Sequence, residues 1–131
     1  LQTPLGHVLR AAATGGLGDL EPLRWSDGAA VTVVVAAQNY PDTPVVNTVV
    51  KGLDEADAVE GAYVLHAGTK AAAYRTVVSS GGRILSVVGT GADLAAARET
   101  AYAAVDKVSI AGSHHRSDIA LAAELGEISV P

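Results

Sequence analysis

Three short stretches hold the residues whose types and spacing suit chemistry. Gly81-Gly82-Arg83 follows a strand-like run and puts a guanidinium directly after two residues able to take positive φ. Such a turn lets a ligand come close to the backbone, and a guanidinium grips phosphate through two parallel hydrogen bonds. The same triplet equally describes a plain surface arginine at a hairpin. His66-Ala67-Gly68-Thr69-Lys70 lies at the end of another run, where loops present functional groups. Lys70 is either a phosphate counter-charge or a solvated strand end. His66 has no partner base or nucleophile that the sequence points to, so it reads as a hydrogen-bonded structural residue. Gly89-Thr90-Gly91 lacks the lysine of a P-loop and the setting of a dinucleotide fingerprint, and reads as a strand-to-helix turn before Asp93.

Other polar groups fit ordinary structure. Asp54-Glu55-Ala56-Asp57 imitates a metal site but suits the solvated first turn of a helix. His114 and His115 are adjacent, so on a strand their rings point to opposite faces and cannot share one metal. Arg116 and Asp118 are spaced for an exposed ion pair of small net energy.

The elements that must position these residues follow from pattern. Thr3-Pro4 is a helix start, with Thr3 as cap and Pro4 at the first position, and Leu5, Val8, Leu9 and Ala12 share a face until Gly15-Gly16 ends the run. A turn-rich linker anchored by Trp25 occupies 15–28. The β-branched run from Ala29 to Ala37 is a buried strand, followed by the Tyr40-Pro41-Asp42-Thr43-Pro44 loop, the Thr48–Lys51 run and a strand from Ala62 to His66. Tyr74–Ser79 and Arg83–Val88, separated by Ser80-Gly81-Gly82, have hairpin spacing and are expected to pair antiparallel. Asp93 caps a helix from Leu94 to about Lys107 with Leu94, Ala97, Ala101 and Val105 on one face, and Val108–Ile110 is a last short strand. The order reads as an α+β module, mainly antiparallel sheet with flanking helices.

Composition bounds the function. With 131 residues, 49% hydrophobic and 18% charged, the chain can bury a core of its own. Nine Lys and Arg stand against fourteen Asp and Glu and no two basic residues are adjacent among the Lys and Arg, so neither a nucleic-acid grip nor a membrane surface is expected. Any anion site is local. The absence of cysteine removes disulfides, thiolate nucleophiles and cysteine-ligated zinc. No apolar stretch is long enough to span a bilayer and no signal peptide is seen, so a soluble, cytoplasmic protein is expected. The chain opens on Leu1 and contains no methionine, which reads as a piece of a longer protein.

Five segments in order resemble the glycinamide ribonucleotide synthetase family, the phosphoribosylamine-glycine ligases of purine biosynthesis. They are Arg24-Trp25-Ser26-Asp27-Gly28 running on to Ala36, Tyr40-Pro41, His66-Ala67-Gly68-Thr69, Ser80-Gly81-Gly82-Arg83-Ile84-Leu85-Ser86-Val87, and His115-Arg116-Ser117-Asp118-Ile119. The resemblance runs over essentially the whole chain and covers only the C-terminal portion of such an enzyme. It implies an ATP-grasp parent, with residues 1–24 as its closing helix plus linker and 25–131 as a barrel-sandwich-like C-terminal domain.

The chemistry it implies is activation of glycine by ATP to glycyl phosphate, then attack by the amine of phosphoribosylamine. The ligands for Mg2+ and the ATP-binding residues would lie in the missing ATP-grasp domains upstream, so the isolated chain is expected to bind no cofactor and to be inactive. What remains for this domain is the phosphoribosyl substrate. By resemblance Arg83 and Lys70 hold its phosphate, Gly82 lets it approach, and His66 and Thr69 hold the loop. No residue here is expected to be catalytic or to bind metal. Two departures stand out: Asn39 precedes Tyr40-Pro41 where the family often has glycine, and Ala120 follows Asp118-Ile119 where it often has glycine too. Two alternatives keep the fold without this role, a small-ligand or protein-interaction module, and a cap that only stabilises the catalytic body.

Overall fold

In the computed structural model, which describes residues 1–128, the chain forms two three-stranded antiparallel sheets with flanking helices. Helix α1 (Leu5–Thr14) precedes β1 (Ala29–Ala36), β2 (Val49–Val50), a short α2 (Leu53–Asp57), β3 (Ala62–His66) and β4 (Thr69–Ala71). Then come β5 (Val77–Ser79), β6 (Arg83–Gly91), α3 (Leu94–Val105) and a single turn, α4 (Leu121–Glu124). One sheet has the order β1-β6-β3 and the other β2-β5-β4. No helix among the described residues is long and apolar enough to cross a membrane.

Alternation on β1 turns Val31, Val33 and Val35 inward, where they meet Ile84, Leu85 and Val87 of β6 and Ala97, Ala101, Ala104 and Val105 of α3. The helix is small-faced for a reason that lies in the sheet. A Cβ on Gly89 would collide with the backbone of Ala97 and Ala101, and one on Gly91 with the amide of Ala97. Gly89-Thr90-Gly91 is therefore the end of β6, paired with Ala29–Val31, and not the turn expected from its composition. Two missing side chains let α3 lie directly on the strand. Asp93 caps it as expected, its Oδ1 accepting from the Ala96 amide at 2.8 Å; the helix ends at Val105, before Lys107.

Further expectations change. Thr3 does not cap α1: Pro4 is the flanking residue, and the Thr3 hydroxyl accepts from the Arg24 amide at 2.8 Å, tying the chain start to the linker. The apolar face of α1 buries none of its residues. Tyr74–Ser79 and Arg83–Val88 do not form a hairpin, because β5 pairs with β2 and β4 while β6 pairs with β1 and β3. Glycines 81 and 82 serve to pass the chain from one sheet to the other. The strand also starts only at Val77, since Tyr74 and Arg75 adopt left-handed φ of 57° and 61°. Finally, Val108–Ile110 gives one isolated bridge, Ser109 to Lys51, in place of a strand.

Candidate functional site

The chain passes between the sheets twice, and the two passages meet. Leaving β3, the amide of Ala67 donates to Ile84 O at 3.0 Å and that of Gly68 to Arg83 O at 2.7 Å; Gly68 O then accepts from the Ser80 amide at 2.7 Å. Gly68 thus bonds both ends of the Ser80-Gly81-Gly82-Arg83 crossing. A Cβ there would sit 2.6 Å from Arg83 O and 3.0 Å from the Gly81 Cα, so only glycine fits. The residues between Gly68 and Ser80 are the β4–β5 hairpin, Thr69 to Ser79, which returns the chain to its starting point.

Each expected site residue has a definite place at this corner. His66 Nδ1 and Thr69 Oγ1 are 2.8 Å apart, closing the turn between β3 and β4. Thr69 lies opposite Ser79, and Lys70 opposite Val78. Gly82 gives its carbonyl to the Ala37 amide at 2.8 Å, and Arg83 opens β6. Lys70 and Arg83 are both exposed, and neither has a hydrogen-bond or ion-pair partner for its side chain among the described residues. In a chain of net charge −5, these are two exposed cations on turns that the Gly68–Arg83 bond joins.

A register break frees Arg83. Val35 lies opposite Leu85 and Ala36 opposite Arg83, so Ile84 is an extra residue on β6. Consecutive Ile84 and Leu85 are both buried, and the alternation that would have carried Arg83 inward with Leu85 is reset.

One contributor at the corner is not evident in the sequence. Tyr40 lies under the crossing: a Cβ on Gly82 would be 2.5 Å from its ring. Its loop turns on Asn39 at φ 72°, the departure from glycine that asparagine tolerates, followed by a cis Tyr40-Pro41 bond. No spacing rule links Tyr40 to Gly82, because they meet only through the β1–β6 pairing. Arg75, read as part of a strand, is an exposed cation at the tip of the β4–β5 hairpin, the end away from the corner.

The remaining polar groups are structural. Asp57 Oδ1 accepts from the Val64 amide at 2.8 Å, and Asp54 and Glu55 lie in the exposed first turn of α2. Among the described residues no three His, Asp or Glu side chains gather as metal ligands. Arg116 and Asp118 pair through two bonds of 2.8 and 2.6 Å in an exposed position. Hydrogen bonding from Arg116 holds the Asp118 carboxyl below its ordinary 3.8, and Asp118 in turn raises Arg116. Arg98 fastens the tail, donating to Ile119 O and Ser117 O, lying 5.0 Å over the Tyr102 ring and pairing with Glu124 at 3.6 Å.

Antiparallel sheets, one covering helix and a corner carrying exposed cations define a small mixed α/β domain. The chain belongs to the family described as phosphoribosylglycinamide synthetase, C domain, whose model matches residues 30–122. It is 61% identical over 122 residues to the phosphoribosylamine–glycine ligase of Streptomyces coelicolor, covering 92% of this chain and 29% of that protein. The enzyme of the same name from Mycobacterium tuberculosis is 56% identical over 130 residues, 99% of this chain and 29% of the relative. The crystal structure of phosphoribosylamine–glycine ligase from Thermotoga maritima superposes with a TM-score of 0.66 at 31% identity, over 85% of this chain and 27% of that one. The chain therefore spans about three-tenths of the length of the relatives it matches.

Proposed function

We propose that this chain is the C-terminal part of a phosphoribosylamine–glycine ligase, the cytoplasmic ATP-dependent enzyme that joins glycine to 5-phosphoribosylamine in purine biosynthesis. Residues 25–131 are its C-terminal, barrel-sandwich-like domain, and 1–24 the last helix and linker of the ATP-grasp unit. ATP and Mg2+ belong to the upstream domains in this reading. The share of this chain is the phosphoribosyl end of the substrate.

The observation that carries the assignment is the 2.7 Å bond from Gly68 N–H to Arg83 O, which makes the two motifs one cradle. Arg83 supplies a planar fork to the 5-phosphate and Lys70 a second positive charge. Gly82 admits the Tyr40 ring under the crossing that carries Arg83, while the His66–Thr69 bond fixes the turn that carries Lys70. The corner is exposed, so a ligand held there needs a second wall, and the upstream domains supply it. Fixing the phosphate, remote from the new amide bond, orients the amine for attack.

The test is steady-state kinetics of a full-length ligase in which this chain replaces the matched segment of the S. coelicolor enzyme. Arg83→Ala is expected to raise KM for phosphoribosylamine about tenfold or more, as loss of a charged bidentate contact does, with KM for ATP and glycine unchanged. An unchanged KM for phosphoribosylamine would overturn the role of Arg83.

A further inference from the structure

A further side chain reaches the corner from a segment that neither motif contains. His114 forms an isolated antiparallel bridge with Ala36: the Ala36 amide donates to His114 O at 2.8 Å and the His114 amide to Ala36 O at 2.9 Å. On its other side Ala36 lies opposite Arg83. His114, Ala36 and Arg83 therefore make one row across three antiparallel segments, and residues directly opposite in such pairing send their side chains to the same face.

That face is the outer one. The inner face, under α3, takes Val31, Val33 and Val35 of β1, and Ala37 joins the same core while Ala36 stands outside it. Beside His114, the His115 ring lies 6.2 Å from that of Tyr102 on α3. His115 is turned inward to the helix, so its neighbour in the bridge turns outward. Val34, Tyr63 and Leu65 are exposed on this outer face. Arg83 and His114 flank Ala36 there, two strand spacings or about 10 Å apart at their backbones, with no longer side chain between them. Both are exposed, and neither side chain has a hydrogen-bond or ion-pair partner among the described residues. Arg116, the other basic group of that segment, is engaged with Asp118 through two bonds.

We propose that His114 is a ligand-binding residue that acts with Arg83, its ring N–H donating to the same phosphate from the far side of Ala36. The proposal rests on the ligase reading for the identity of that phosphate, the 5-phosphate of the phosphoribosyl substrate. A phosphate monoester has three terminal oxygens. The guanidinium fork takes two, and a single donor across the row takes the third, which fixes the group against rotation about the fork. An imidazole presents an N–H in its neutral and its charged form, so the contact does not depend on protonation.

The experiment is calorimetric binding of ribose 5-phosphate to the S. coelicolor ligase carrying this chain, with thermal unfolding read on the same samples. His114→Ala is expected to weaken binding about tenfold, as loss of one hydrogen bond to a charged group does, at an unchanged melting temperature. His114→Gln, which keeps an N–H donor, should recover most of the loss. Arg83→Ala and His114→Ala combined should weaken binding by less than the product of the single effects, because both hold one group. An affinity unchanged by His114→Ala, a loss that His114→Gln does not recover and that comes with a lower melting temperature, or no binding by the unsubstituted protein would each overturn the proposal. Ligase turnover is read in parallel. Turnover with binding indifferent to His114 keeps the ligase reading and retires the contact; binding that needs His114 in a protein without turnover does the reverse.

Discussion

Glycines create close approaches in two parts of this molecule, with opposite results. At Gly89 and Gly91 the missing side chains admit α3, and everything around them is apolar and buried. At Gly68 and Gly82 they admit another turn and the Tyr40 ring, and the residues next to them, Lys70 and Arg83, are charged and exposed. The same absence of a Cβ thus admits a helix to the buried core in one place and a second turn and an aromatic ring beside exposed cations in the other. The difference is set by what the strand alternation places beside the glycine.

That contrast is open to direct attack. The largest effect is expected from Gly89→Ala, where the new methyl meets the α3 backbone and nothing flexible can give; destabilisation of about 3 kcal/mol or more should appear in chemical denaturation. Gly68→Ala should cost about 2 kcal/mol and, in the full-length ligase, also raise KM for phosphoribosylamine, because it pushes the two turns apart. If it lowered stability without touching KM, the two glycine regions would be alike and the corner merely structural. Arg83→Ala should separate them from the other side, changing KM as described while altering unfolding by less than about 0.5 kcal/mol, as an exposed substitution does.

Smaller effects concern the tail. Ala120 sits at φ 63°, a conformation glycine takes without strain, so Ala120→Gly should stabilise the chain by about 0.5 kcal/mol. The smallest comes from Asp118. Its carboxyl is held below 3.8 when folded, so its contribution is complete above about pH 4 and fades as pH falls through the lowered value. Arg116 stays protonated throughout and adds no slope. Asp118→Asn should flatten the acid limb of the stability curve slightly, the pair being exposed.

Much of this was legible in the residues. The β1 run, the Asp93-capped helix and its Ala97–Ala101–Val105 face and the Arg116–Asp118 pair all follow from local rules, and the structure has them. The Ser80-Gly81-Gly82 segment was not. Three small residues between two β-branched runs satisfy hairpin chemistry as well as they satisfy a crossing between sheets, and only the partners of β5 and β6 decide which is formed. Gly89-Thr90-Gly91 misled for the same reason: a turn and a strand under a close helix both want glycine.

By itself, then, the sequence determined the elements, the acidic balance, the two motifs that carry free cations and the family to which they belong, because periodicity, capping and turn chemistry act within a few residues. Tertiary structure alone decided that Gly68 joins those motifs into one corner, that an extra residue at Ile84 turns Arg83 outward, and that one face of the larger sheet stays open. Each depends on strand partners distant along the chain, and pairing is settled by the packing of the whole domain.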